Sequence, residues 1–378
     1  MTAAQNVCVW DDLIGQDQAA RYLRAATDSG RVTHAYLFVG PPGAGKKTAA
    51  RAFACAIFCD DHGCGGCPVC FRIRRRQHPD VRVVSPEGAA TYRVDQIREV
   101  IHDTNLAPIE GPWKIYIVEN AESFNEASAN AFLKTLEEPP DDTILILLAN
   151  SFEGVMPTIV SRCQVVRFRR LPPELALALL SEQTGAERME AIAALAASGG
   201  VVARARAFLE STTRRAARET ILVTLSNLTE MDELDVLEAA RELLAAVRAP
   251  LDDVKAAHDA ELREREEFLG GGSTRAIEER QKRELTAAER EGIAEVLNVA
   301  ESWLRDCLVL SEGASDLVLN ADAIDAMEPV AAVITPAAAA VALTAVKEAR
   351  RRISYNVSPQ LAVEAMLFEI REVLLCPR

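Results

Sequence analysis

The sequence predicts an α/β domain on a doubly wound, mostly parallel sheet, with a cysteine module inserted in it, followed by a small helical domain and a larger all-α domain. Three observations predict this. Five short apolar runs alternate with helical segments over the first 170 residues, the pattern of a parallel sheet covered on both faces. A glycine-rich loop, Gly40-Pro41-Pro42-Gly43-Ala44-Gly45-Lys46, lies between the first run and a helix, the context that a phosphate-binding loop needs. Beyond Leu171-Pro172-Pro173 the apolar residues keep helical spacing throughout.

In chain order, residues 11–29 read as a helix from the spacing of Leu13, Ala19, Ala20, Leu23 and Ala26. Ala35–Val39 reads as the strand that feeds the glycine loop, and a helix resumes at Thr48. Further strands are expected at 81–84, 115–118, 144–148 and 165–168, with helices at 94–105 and 123–137. The second of these helices stops at Pro139-Pro140, because proline cannot continue it. The expected domains are therefore 1–170, with the cysteine module at 59–70, then 171–210, broken at Ser198-Gly199-Gly200, and 211–378. Residues 252–295 are heavily charged and interrupted by Gly270-Gly271-Gly272-Ser273, which reads as an exposed helical hairpin or a partly disordered insertion.

The net charge of −14 is uneven. Residues 1–170 hold 19 Lys and Arg against 20 Asp and Glu, and the remainder holds 23 against 36. A chain-wide basic footprint for nucleic acid is excluded, so any such contact is local or delegated. The first residues have no basic start and no apolar core of a secretory signal, and no apolar run reaches the roughly 18–20 residues that span a bilayer. The expectation is a cytoplasmic protein.

The glycine loop carries the sharpest chemistry. Backbone N–H groups of Gly40, Gly43 and Gly45 and the following helix end suit phosphate oxygens, with Lys46 reaching the β- and γ-phosphates. A hydrolytic loop then needs a hydroxyl to ligate Mg²⁺. Lys47 stands there instead, and an ammonium cannot ligate a cation. The next strand normally ends in two acids, one for the metal and one to activate water. Here it ends Glu119-Asn120, and Asn120 cannot take a proton at neutral pH. Thr48 could slide into the metal position, but Asn120 would still be a poor base. The loop is read as one that holds phosphate, or once did, with ATP or ADP binding left open, and as poorly built for cleavage.

Cys59, Cys64, Cys67 and Cys70 place four thiols within twelve residues, with Gly63, Gly65 and Gly66 allowing tight turns. Four thiolates suit a closed, tetrahedral, structural Zn²⁺. An iron–sulfur cluster uses the same ligand set, and a redox dithiol is the other alternative. His62 could replace one thiol, and Cys55 is expected to pack in the preceding helix. Arg72, Arg74, Arg75 and Arg76 form a basic cluster that could meet DNA phosphates or an acidic partner, with a solvated face as the plainer reading. His34 reads as structural.

Taken together these residues resemble the clamp-loader branch of the AAA+ proteins, over residues 8–210 closely and the rest more loosely. Trp10-Asp11-Asp12-Leu13-Ile14-Gly15-Gln16 is similar to the box that opens these modules near the adenine. Residues 129–140, ending Leu136-Glu137-Glu138-Pro139-Pro140, and Pro157-Thr158-Ile159-Val160-Ser161-Arg162-Cys163 carry the likeness further. His78-Pro79-Asp80 and Val94-Asp95-Gln96-Ile97-Arg98 resemble a loader subunit other than the ATP-cleaving one. The resemblance implies that Arg162 reaches the ATP site of an adjacent subunit, where a guanidinium offsets charge on the transferred phosphoryl group. It implies that Asn150, or less closely Ala149, senses the γ-phosphate. The second sensing arginine matches Arg204 or no residue. Ser302-Trp303-Leu304-Arg305-Asp306 and the segment 356–361 resemble the collar of a loader ring. The implied partners are the ATPase tau/gamma and delta subunits of a DNA polymerase III clamp loader, the sliding clamp and primed DNA. The implied role is a stator that does not hydrolyse ATP. An active motor subunit using Thr48 and Glu119 is the alternative, and a metal-dependent redox or nucleic-acid module built on the cysteines is the third reading.

Overall fold

The computed structural model describes residues 8–86, 91–269, 274–355 and 357–376. The chain divides into two compact units, Met1–Pro172 and Pro173–Arg378.

The first unit holds the expected sheet. Its strands are β1 (Ala35–Val39), β2 (Val81–Val84), β3 (Lys114–Val118), β4 (Thr143–Ala149) and β5 (Gln164–Arg167). They are ordered β2-β3-β4-β1-β5, and every pairing is parallel. The three inner strands are buried along their whole length, while Arg82 on β2 and Gln164 and Arg167 on β5 reach solvent. That is why β1, β3 and β4 read as unbroken apolar runs rather than alternating ones.

Successive side chains of a strand point to opposite faces, and each face has its own core. Tyr36, Phe38, Ile115, Ile117, Ile144 and Ile146 pack against α1 (Asp17–Asp28), α2 (Lys46–Phe58) and α3 (Pro68–Arg74). Leu37, Val39, Tyr116, Val118, Leu145 and Leu147 pack against α4 (Val94–Thr104) and α5 (Glu126–Glu137). A short helix, α6 (Pro157–Val160), precedes β5. Because the strands run in parallel, the carboxyl ends of β1, β3 and β4 open onto one edge of the sheet. Ligands bind at that edge in open α/β sheets.

Two expectations change. The helix expected from residue 11 begins only at Asp17. Before it lie turns, with Gly15 at φ +69°, and the Gln16 side chain donates to Arg169 O (2.7 Å) and accepts from Arg169 N (3.1 Å). The amide of Gln16 thus clips the start of the unit to the chain leaving β5. The other change is α3, which was not expected. Pro68 opens it, and the Cys67 sulfur caps it by accepting from Cys70 N at 3.4 Å.

Asp80, almost fully buried, accepts from the backbone N–H groups of Ile109 (2.6 Å), Glu110 (2.8 Å) and Gly111 (3.0 Å). Burial alone would raise its pKa. The three N–H bonds outweigh burial and hold the carboxyl below its ordinary value.

The second unit is all helical: α7 (Pro173–Thr184), α8 (Arg188–Ala197), α9 (Val202–Glu210), α10 (Thr212–Asn227), α11 (Glu233–Leu269), α12 (Thr274–Ser311), α13 (Ile324–Ala331), α14 (Pro336–Ser354) and α15 (Pro359–Leu375). The charged stretch at 252–295 falls on α11 and α12, which pack along each other. Its glycine break at 270–273 lies outside the described residues. Helices α8 and α9 join α12 through Arg204–Glu291 (2.8 Å) and Asn298 Nδ2 donating to Ala197 O (2.9 Å). Trp303 is fully buried. Asp306 accepts from the N–H groups of Leu319 (3.0 Å) and Asn320 (2.8 Å) and pairs with Arg305 at 2.8 Å. Among the described residues, no single helix is long and apolar enough to cross a membrane.

Candidate nucleotide and metal sites

The glycine loop leaves β1 at Gly40 and enters α2 at Lys46. Gly40 has no room for a side chain: an added Cβ would lie 2.7 Å from Phe168 Cβ and closer still to Phe168 O. Gly43 (φ +76°) and Gly45 (φ +84°) adopt the left-handed region, which only glycine enters at no steric cost. Gly45 caps α2, so the loop N–H groups and the helix end face the same side.

Lys46 curls back over this loop. Its Nζ donates to Gly40 O, to Pro41 O (3.0 Å) and to Asn150 Oδ1 (3.1 Å). Burial lowers its pKa to about 8, with Glu122 opposing the shift and Lys47 adding to it. Asn150 therefore belongs to the loop's surroundings, while Ala149 is buried in β4.

Lys47 turns the other way. Its Nζ pairs with Glu119 Oε2 at 2.8 Å, and the Ser85 hydroxyl donates to the same oxygen at 3.1 Å. A Mg²⁺ ion of the kind the fold implies would be held between a hydroxyl at 47 and a free carboxylate at 119. The chain offers an ammonium already seated on that carboxylate, so these residues do not fit the ion. Thr48 does not take over: it lines a cavity of about 140 Å³ with Val9, Asp12, Arg51, Ala52 and Arg74. The chemistry of Gly43, Gly45 and Lys46 suits a polyphosphate, with the Lys46 ammonium here donating to the Gly40 and Pro41 carbonyls.

Asn120 is exposed and stands at φ +53°, ψ 60°. Among side-chain-bearing residues, asparagine is one of the few that enter this region readily. The residue thus has a backbone role beside the loss of a base.

Arg162 follows α6. Its Nε donates to Glu137 Oε1 at 2.7 Å, its second terminal nitrogen pairs with the same oxygen, and a third N–H reaches Thr158 O at 2.9 Å. The guanidinium is about one-third exposed, so it is held in place at the surface.

The four cysteines come together. Their sulfurs all lie within 4.8 Å of one another, with Cys59–Cys64 and Cys59–Cys67 both at 3.7 Å. Four sulfurs at about 2.3 Å from a tetrahedral ion would stand about 3.8 Å apart, so the set fits a metal ion with no open position. Cys55 stays in the helix core, and burial pushes its thiol up to about 12. His62 occupies a left-handed turn at φ +51° outside the group.

Residues 15–172 match the family model described as DNA polymerase III, delta subunit. The match covers less than half of the chain. The chain is 34% identical to the DNA polymerase III subunit delta' of Bacillus subtilis over 171 residues, 44% of this chain and 52% of that protein. It is 33% identical to the B. subtilis subunit tau over 202 residues, 51% of this chain and 36% of that protein. The matched segments thus span about half and about a third of those relatives. A crystal structure of a DNA polymerase III gamma subunit-related protein from Thermotoga maritima aligns over 93% of this chain and 99% of that one, at 17% identity and TM-score 0.46. The parallel sheet, with β1 between β4 and β5 and the phosphate loop at its carboxyl edge, is the doubly wound α/β domain that the sequence predicts.

Within this matched segment the structure adds residues that the motifs alone did not single out. Glu122 Oε1 accepts from Asn150 N, and its Oε2 is buried with no hydrogen-bond partner, next to a loop that carries two lysines. The signal was an acid three residues beyond Glu119. Tyr92 OH donates to Val84 O (3.0 Å) and to Glu119 O, tying the ends of β2 and β3 together. Glu137 links two motifs by holding Arg162. In the basic cluster, Arg72 pairs with Glu110 (2.6 Å), Arg74 pairs with Asp12 (2.8 Å), and Arg75 lies 4.3 Å over the Phe71 ring.

Proposed function

We propose that this chain is a delta-prime-type subunit of a DNA polymerase III clamp loader. In this reading it sits in a hetero-oligomeric ring with tau/gamma and delta subunits and helps place a sliding clamp on primed DNA. It acts as a stator: it does not hydrolyse ATP itself, and it presents Arg162 to the ATP site of its neighbour. The observation that carries the reading is the Lys47–Glu119 ion pair, which joins the two positions a catalytic metal needs. Asn120 removes the usual base beside it. Arg162, by contrast, is braced by Glu137 and about one-third exposed, as a group offered to another subunit should be. In the same proposal the cysteine cluster holds one structural Zn²⁺.

The motor-subunit alternative needs Thr48 and Glu119 to share a metal, and the positions of both side chains disfavour it. Turnover of ATP by the isolated chain decides between the two. The expected result is no Mg²⁺-dependent phosphate release above background. Turnover that disappears in Lys46→Ala would overturn the stator role. In the assembled loader, Arg162→Ala is expected to lower ATPase activity by about 10³-fold or more, with the circular dichroism of this chain unchanged. Unaltered loader activity would remove the donated arginine.

A further inference from the structure

We infer that the phosphate loop binds nucleoside di- and triphosphates without a divalent metal, with the Lys47 ammonium standing in the metal's place. The inference rests on the phosphate-loop part of the reading above and goes beyond it by naming how the ligand is held.

A catalytic phosphate loop holds its metal from two protein positions, a hydroxyl at the second helical residue and a carboxylate at the end of the neighbouring strand. Here these are residues 47 and 119. The structure joins them directly, with Lys47 Nζ 2.8 Å from Glu119 Oε2. Glu119 is itself fixed: it is buried, Ser85 Oγ donates to the same carboxylate oxygen at 3.1 Å, and Tyr92 OH donates to its backbone carbonyl. The Lys47 side chain is more than half exposed on its other side. An ammonium has three N–H donors. One is engaged by Glu119, which leaves two for phosphate oxygens.

The charge balance makes the substitution specific. A carboxylate with a dication presents a net charge of +1 to the phosphates. The Glu119–Lys47 pair presents none, and a dication added beside Lys47 would meet a like charge where its ligand should be. The remaining attraction comes from Lys46, the loop N–H groups and the end of α2. Such a site gains nothing from Mg²⁺. Without an ion bridging the β- and γ-phosphates, it also has little means of telling ATP from ADP.

The test is calorimetric titration of the full-length chain with ATP and with ADP, each in excess Mg²⁺ and in EDTA. The expected result is a Kd that changes by less than about threefold between the two media, with ATP and ADP within a similar factor. Lys47→Thr restores a hydroxyl beside Glu119 and is expected to make ATP bind at least tenfold tighter with Mg²⁺ than without. Lys47→Ala is expected to weaken binding in EDTA about tenfold. A wild-type Kd at least tenfold weaker in EDTA, no binding in either medium, or a Lys47→Ala chain that binds in EDTA like the wild type would each overturn the inference. So would a Lys47→Thr chain indifferent to Mg²⁺. Binding and turnover are read separately. A chain that binds only with Mg²⁺ and cleaves nothing breaks this inference and leaves the stator role standing, whereas cleavage breaks the stator role.

Discussion

Helix α2 has a metal position at each end, and the two ends have fared differently. At its C-terminal end Phe58 runs into Cys59, and four sulfurs converge as a complete ligand set. At its N-terminal end the phosphate loop has its glycines, its turn and Lys46, while Lys47 pairs with Glu119 where the proposal above puts the metal position. The difference follows from how many protein groups each site uses. Four converging thiolates cannot be replaced by one side chain. Two positions only a side chain apart can be bridged by a single lysine, and the fold hardly registers the change, because an internal ion pair satisfies both residues.

The comparison can be broken at several points. The largest effect belongs to the cysteine end. Cys70→Ser, or removal of the metal by a chelator, is expected to cost the first unit roughly 3 kcal/mol or more and to lower Tm by roughly 10 °C, with loss of about one metal ion per chain. Calorimetry with metal analysis checks this, and an unchanged Tm would mean the cluster is dispensable. Gly40→Ala comes next. The new methyl would collide with Phe168, so a cost of about 1–3 kcal/mol is expected, read as a lower urea midpoint.

The smallest effect is electrostatic. Burial holds Lys46 at about 8, below its free value of 10.5. Between those pH values the unfolded chain binds a proton that the folded chain has released, so this group's contribution to stability rises with pH across that window. Against Lys46→Met, the wild type is expected to gain stability between pH 8 and 10.5, by about 1 kcal/mol at most after solvent screening. A difference between the two chains that stays flat across that window would show Lys46 to be solvated and the loop open.

Much of the first unit was legible in the sequence because its signals are local. The inner strands are buried on both faces and therefore spell continuous apolar runs, and the helix after the glycine loop was expected at Thr48, two residues after its start at Lys46. The four cysteines lie close enough in sequence to be read as one site. The residues that were missed act across the chain. Glu122 meets Asn150 over 28 positions and Glu137 meets Arg162 over 25, and nothing in the spacing of either pair reports that contact. Asn120 was legible only as a missing base, since its left-handed backbone shows only in three dimensions. The start of α1 was misplaced because Leu13 is buried by turns rather than by a helix, and an apolar residue at helical spacing does not distinguish the two.

Asp80 shows how a motif can advertise one property while serving another. Its carboxylate gathers three consecutive amides thirty residues away and so sets where the chain must stand when β3 begins. A change at this aspartate would be felt at the entry to β3 rather than where it occurs. Drift at His78-Pro79-Asp80 is therefore constrained by the scaffold, and a nucleotide site could lose or regain its chemistry without disturbing those three letters.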